Sequence, residues 1–258
     1  MHNNLSIIGA GNLANSLVPS LLKAGLQIDF IYSKNGQSAH QLAKKYRIKA
    51  TSDIKKIKSD IIIIATTDSS IKTVSESLQL SKDQIVLHTA GSISINVLTQ
   101  SHKNAGVLYP LQTFTRNKEV DLKNVPFCIE ASNKNTYSQV KELAELLSNN
   151  ITELTSEQRL ALHTAAVFTN NFTNLMYTIG NDILTSHNID FNLLRPLISE
   201  TAKKAISNQP EKIQTGPALR DDIKTIQAHK DMLKGEQLEM YELLTKWIKN
   251  RHRDMDKA

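Results

Sequence analysis

The sequence carries a single cysteine, Cys128, and a single tryptophan in 258 residues. One thiol cannot close an internal disulfide, so Cys128, inside "VPFCIEA", reads as a small buried hydrophobe. Long apolar runs are also missing; none approaches the roughly 18 residues needed to span a membrane. Apolar strand-like residues begin within about five positions of Met1, which leaves no room for the charged and apolar regions of a signal peptide. These absences point to a reducing cytoplasm, where the sequons at Asn150 and Asn171 meet no glycosylation enzyme. Aromatic residues make up 5% of the chain, and the net charge of +6 comes from 31 basic and 25 acidic side chains spread along it, with much of the excess in "KWIKNRHRDMDKA". A nucleic-acid reader would gather basic and aromatic groups on one face. The sequence therefore argues against a nucleic-acid partner, and its basic excess reads as a mild attraction for small anions.

What is present is an ordinary globular composition, 40% hydrophobic and 22% charged, enough for one large domain or two modest ones. Up to residue 153, strand and helix patterns alternate. "LSIIG", "QIDFIYS", "DIIIIATTD", "QIVLHTAG", "GVLYPL" and "VPFCIEA" read as strands. "NLANSLVPSLLKAG", "SAHQLAKKY", "SSIKTVSESL", "SISINVLTQSHKNAG" and "TYSQVKELAELLSN" read as helices. Pro19 should kink the first helix, and Gly25 suits its C-terminal cap. The uninterrupted β-branched run at 61–64 is expected of a central parallel strand covered on both faces. After residue 153 only helical patterns follow, opening with the capping box Thr155-x-x-Gln158 and a run that could stay helical to about Ser186. The expected architecture is α/β: a doubly wound, mostly parallel Rossmann sheet over 1–153, then an all-α helical domain over 154–258.

Two glycines stand at the first strand-to-helix turn, in Gly9-Ala10-Gly11-Asn12-Leu13-Ala14. In this G-x-G-x-x-A pattern the first glycine permits the tight turn and the second lets a pyrophosphate approach the backbone. The third small residue lets the helix pack close, and the helix N-terminus faces the phosphates. With the βαβ series that follows, the pattern implies a dinucleotide held by Gly9, Ala10, Gly11, Asn12 and Leu13. An NAD site wants an acid about 20 residues further on, for the ribose 2′-OH. Ser33-Lys34-Asn35 stand there instead, and the nearby acid, Asp29, falls early in the strand. A hydroxyl beside a lysine favours the 2′-phosphate of NADP; the competing reading is a solvated loop lysine. Thr66 and Thr67, and Ala90 and Gly91, end the next strands and complete the expected cofactor edge.

On the long helix His163, Val167, Asn170, Asn171 and Asn174 recur at spacings of three and four, which places them on one side. Asparagine is a mediocre helix former, so this stripe reads as a polar cleft, or as a histidine and amides satisfied internally. His163 could supply the proton that accompanies hydride addition, and Tyr109 is a second candidate donor. In "QTGPALRDD", Arg220 could clamp a carboxylate, or the stretch could be a turn with Asp221 or Asp222 capping the next helix. His88 ends a strand near the expected cofactor edge or is structural. His88, His163 and His229 have no metal-ligand spacing, and no metal is expected.

The motifs "IIGAGNLA", "HTAGSIS", "LYPLQTF", "RLALHTAAVFTNNF" and "TGPALRDD" together resemble a family of two-domain proteins. These join a Rossmann-like NADP-binding domain to a helical domain of unknown function, and are similar to pyrroline-5-carboxylate reductase and the 6-phosphogluconate dehydrogenase-like enzymes. The resemblance implies an NADP-dependent oxidoreductase that holds nicotinamide and substrate between sheet and helical domain, with helical domains pairing into a homodimer. The implied reaction is hydride transfer from NADPH to a small carbonyl or imine. His163, Tyr109, Asn171 and Arg220 are then the candidates for its chemistry. Two departures stand out. Related hydroxyacid dehydrogenases place a lysine one turn before the helix asparagine, where this chain has Val167 before Asn171. Relatives often read His-Pro where this chain has Tyr109-Pro110. The missing lysine keeps open a non-catalytic NADP-binding sensor or regulatory protein, and relatives that use a deazaflavin keep that cofactor open too.

Overall fold

Four consecutive isoleucines, Ile61–Ile64, are all buried. Ile61 and Ile63 enter one hydrophobic cluster, Ile62 and Ile64 another. Successive side chains of a strand point to opposite faces, so a wholly apolar strand requires cover on both. The computed structural model, which describes residues 4–115 and 120–255, provides it. The end of the basic C-terminal stretch, residues 256–258, lies outside the described residues.

The chain runs β1 (Asn4–Ile8), α1 (Asn12–Lys23), β2 (Gln27–Tyr32), α2 (Gln37–Tyr46), β3 (Lys49–Thr51), β4 (Ile61–Ile64), α3 (Asp68–Ser77) and β5 (Ile85–His88). A short α4 (Asn96–Thr99), β6 (Ala105–Pro110), β7 (Phe127–Ala131), α5 (Lys134–Leu147) and β8 (Ile151–Glu153) complete the sheet region. Strand order is β3-β2-β1-β4-β5-β6-β7-β8. Side chains of α1, α2 and α5 pack on one face, and those of α3 and α4 on the other. This is the doubly wound, mostly parallel sheet the sequence implies. The exception is β7, antiparallel to β6. No helical crossover longer than a single 3₁₀ turn lies between them among the described residues, and a parallel return would need one. The short edge strands β3 and β8, three residues each, carry too little pattern to stand out in the sequence.

Helix α1 runs from Asn12 to Lys23 with Pro19 inside it. It closes as anticipated at Gly25, whose φ of +81° belongs to a left-handed cap. There the Leu26 amide donates to the Leu21 carbonyl and the Gly25 amide to the Leu22 carbonyl. The helix expected over "SISINVLTQSHKNAG" shrinks to Asn96–Thr99. Serine hydroxyls compete with the helix there: that of Ser94 accepts from the Asn96 amide, and that of Ser92 donates to Asp68.

Helix α6 (Ser156–Ala166) opens with the anticipated capping box, complete on both sides. A π-helical segment, Val167–Phe172, follows, then α7 (Thr173–Ser186), α8 (Arg195–Ser207), α9 (Ile223–Met232) and α10 (Gly235–Met255). Two compact units result, Met1–Phe168 and Thr169–Ala258. The first contains the sheet and α6. In the second, no residue of α7, α8 or α9 is buried.

Candidate active site

The two glycines of the opening turn do different work. Gly9 sits at φ +114°, and a Cβ there would lie 2.2 Å from the Ala65 carbonyl oxygen at the end of β4. Only glycine lets β1 turn this close beneath β4, a contact reinforced by the Ala65 amide donating to the Ile8 carbonyl. Gly11, at the head of α1, has the opposite surroundings: a Cβ would meet nothing within 4 Å. Its bareness therefore keeps space open over the helix end. No side chain caps that end and no acid occupies the first turn. The turn borders a hollow of about 450 Å³ lined by Ala10, Gly11, Asn12, Asn15, Ser38 and Gln41, among others. An uncapped helix N-terminus beside space that a methyl would enter fits a pyrophosphate. Asn12 fixes the turn by donating its amide to the Phe114 carbonyl at 3.0 Å. Leu13 is half-buried against the core, and Ala14, fully buried, lets α1 pack close to the sheet.

Ser33 builds the turn that ends β2. Its hydroxyl accepts from the Ala39 amide at 3.1 Å and its carbonyl from the Gly36 amide at 3.0 Å. Lys34 and Asn35 project at the exposed tip. Asp29 lies further back in β2 and is engaged elsewhere, accepting from the Ser59 hydroxyl at 2.6 Å and the Gln27 amide at 3.2 Å. The end of β2 therefore presents a lysine and no carboxylate.

The carboxyl ends of β4, β5 and β6 bring the remaining candidates together. Thr66 follows β4, and Thr67 occupies the N-cap position of α3, its hydroxyl 2.8 Å from that of Ser70. Next to it, Asp68 accepts a hydrogen bond from Ser92. Ala90 and Gly91 follow β5, both buried. The most informative contact is at Gly91, where a Cβ would lie 2.7 Å from His163 Nδ1 and 2.8 Å from Tyr109 Cζ. Those two side chains are hydrogen-bonded, Tyr109 hydroxyl to His163 Nδ1 at 3.1 Å, with rings edge to face. Either can be the donor, depending on the histidine tautomer. The two candidate proton donors are thus one unit, seated on a bare glycine. Burial pushes the Tyr109 phenol above its ordinary value, with Cys128 and Asp68 adding to the rise and the Arg159 charge opposing it. The phenol therefore keeps its proton at neutral pH.

His88 is fully buried in β5. Its Nδ1 accepts from the Ala90 amide at 3.2 Å, while Nε2 makes no well-formed hydrogen bond. Burial first, then the Arg159 charge, lower its pKa to about 3, so it is neutral and shapes the turn before Gly91. Among the described residues, no group of His, Cys, Asp and Glu is placed to hold a metal ion.

Asn171 lies exposed in the π-helical segment, and Arg220 lies exposed in the turn that Asp222 ends by capping α9. Both belong to the second unit, whereas Tyr109 and His163 belong to the first. The three-and-four spacing from His163 to Asn174 assumed a uniform α-helix. Residues Val167–Phe172 of that stretch are π-helical, with i→i+5 bonding in place of the i→i+4 pattern. Sequence reasoning missed Arg159, which is 1% exposed and ion-paired with Glu130 of β7. Extending the histidine stripe back one turn would have landed on it.

Comparison with known proteins bears on this arrangement. Residues 4–91 match the family described as NADP oxidoreductase, coenzyme F420-dependent, and residues 125–248 match a domain of unknown function, DUF2520. None of the curated proteins matches the chain. Among solved structures, a Bacteroides fragilis protein named as a candidate NADP oxidoreductase, BF3122, is 38% identical with a TM-score of 0.86, covering 96% of this chain and 98% of its own. Protein TM1727 from Thermotoga maritima shares the fold at 23% identity and a TM-score of 0.74, covering 98% and 99%. A pyrroline-5-carboxylate reductase from Coxiella burnetii shares it at 16% identity and 0.57, covering 98% of each chain. The chain belongs to the family in which an NADP oxidoreductase domain is joined to the helical domain DUF2520.

Proposed function

We propose that this protein is an NADP-dependent reductase of a small carbonyl or imine compound. The observation that carries the reading is the Tyr109–His163 hydrogen bond, packed on Gly91 at the carboxyl edge of the sheet whose first turn is built for a dinucleotide. Gly11 and the amides at the start of α1 would hold the pyrophosphate, and Ser33 and Lys34 the 2′-phosphate. Bound NADPH supplies a hydride, and a proton must reach the oxygen or nitrogen of the reduced bond. Tyr109, which keeps its proton at neutral pH, gives it to that atom, and the phenolate left behind accepts a hydrogen bond along the 3.1 Å contact with His163 until a proton from solvent restores it. Fold likeness to an imine reductase from Myxococcus stipitatus in complex with NADP+, at 12% identity, is consistent with this chemistry without assigning it.

Cofactor titration and turnover test separate parts of the reading. NADP(H) should bind more tightly than NAD(H), and Lys34→Ala should weaken NADP(H) by about 1.5–3 kcal/mol, the worth of a hydrogen bond to a charged group. Equal affinities, or an indifferent Lys34→Ala, would reject NADP preference. NADPH oxidation against a panel of carbonyl and imine compounds tests catalysis. A protein that binds NADPH tightly and oxidises it against none of them is the sensor of the alternative reading.

A further inference from the structure

We propose that Arg159 is a positioning residue for the Tyr109–His163 pair, holding the first turn of α6 to the loop that carries Gly91. The inference rests on the reading of that pair as the proton donor. Arg159 stands one helical turn before His163, so the two side chains share a face of α6. Both grip the same loop. The Arg159 guanidinium donates to the Ile93 carbonyl, while His163 lies against Gly91. The other arm of the guanidinium is ion-paired with Glu130 in β7. Glu130 in turn accepts from the Ser156 amide at 3.1 Å and from its hydroxyl at 2.8 Å. Ser156 closes the circuit by accepting from the Ile95 amide at 3.0 Å. Strand β7, the 91–95 loop and the head of α6 are thereby fixed by one polar network, with His163 a turn away.

Stability alone does not account for this network. A buried ion pair is often matched or exceeded in stability by apolar residues of similar volume. Here the arginine is also incompletely satisfied, since its buried Nε has no hydrogen-bond partner. What an apolar pair cannot supply is a forked donor reaching two acceptors on different elements. That fork sets where α6 lies along the sheet edge, and hence whether His163 Nδ1 falls within reach of the Tyr109 hydroxyl.

The test separates positioning from stabilisation. The ring-nitrogen NMR signal of His163, assigned by its loss in His163→Gln, is recorded with and without Tyr109→Phe in three backgrounds: wild type, Arg159→Met, and Arg159→Met/Glu130→Met. In wild type, Tyr109→Phe should move the signal. The apolar double replacement should keep or raise the melting temperature, yet Tyr109→Phe should no longer move the His163 signal in it. A retained response in that folded double variant overturns the proposal, whatever the single variant does. NADPH titration of the same proteins reports on the cofactor site independently. Its failure in wild type would reject the functional reading, and an unchanged affinity across the series with loss of the His163 response is the result expected.

Discussion

Gly91→Ala is the smallest change that reaches the proposed chemistry. The added methyl would lie 2.7 Å from His163 Nδ1, 2.8 Å from Tyr109 Cζ and 2.9 Å from His163 Cγ, where ordinary contacts begin near 3.4 Å. Backbone strain does not complicate the substitution, because Gly91 is outside the left-handed region. The overlap must be relieved by moving one or both rings by roughly half an ångström or more. The Tyr109–His163 bond, 3.1 Å in the wild type, then stretches past useful length. Overpacking of this kind costs about 1–3 kcal/mol, so the protein should still fold. A misplacement approaching 1 Å costs on the order of 10²-fold in turnover. Gly91→Ala should therefore match His163→Ala, where the general acid Tyr109 loses its hydrogen-bonded partner and turnover falls by about 10²-fold or more. The assay is NADPH oxidation at saturating cofactor, alongside cofactor titration and a melting curve. Wild-type turnover in a folded Gly91→Ala protein would refute the claim that the pair must stay bonded to work.

Gly11→Ala, with nothing within 4 Å of the new methyl, should leave the melting temperature nearly unchanged and weaken NADP(H) by about tenfold or more, as a methyl enters the phosphate space; equal binding in calorimetry would reject that assignment. His88 is held neutral in the fold, its pKa lowered from 6.5 to about 3. The unfolded chain thus binds the extra proton first, and stability present above pH 6.5 is lost as pH falls toward 3, at up to about 1.4 kcal/mol per unit. His88→Asn keeps an acceptor for the Ala90 amide and should flatten denaturant midpoints across that window; an unchanged slope would exclude His88 as the cause. The protein should sediment as a dimer at micromolar concentration, because α7, α8 and α9 bury no residue of their own and leave Leu197, Ile206 and Ile223 more than half exposed; a species of 28.8 kDa would count against it.

The fold was legible because its determinants are local and repeated. A strand such as Ile61–Ile64 and a helix such as α1 each carry their own periodicity, and the G-x-G-x-x-A turn marks where one becomes the other. What escaped was set by partners distant in sequence. The antiparallel β7 follows from a connection without a long helix, and the shortness of α4 from serines whose bonds reach Asp68 and their own backbone. The π-helical segment Val167–Phe172 carries no sequence signal that separates it from the α-helices on either side, so three-and-four spacing alone does not reveal it.

The candidate site divides along the same line. Gly9 and Gly11 were found together by one motif, yet only three-dimensional surroundings separate their roles: Gly9 is bare because β4 is too close, Gly11 because nothing is there. His163 stands out on a helical stripe and Tyr109 before Pro110, 54 positions apart, and nothing in the sequence joins them. Gly91 was counted with the cofactor edge, and its contacts give it a second task as the floor of the pair. Arg159 was passed over because a charged residue in an amphipathic helix is ordinarily solvated. Its burial beside Glu130 inverts that reading. The glycine that seats the donor pair and the carbonyl of Ile93 that receives the arginine belong to one short loop, residues 91–95. This makes that loop, more than the long helix, the element on which the proposed chemistry depends.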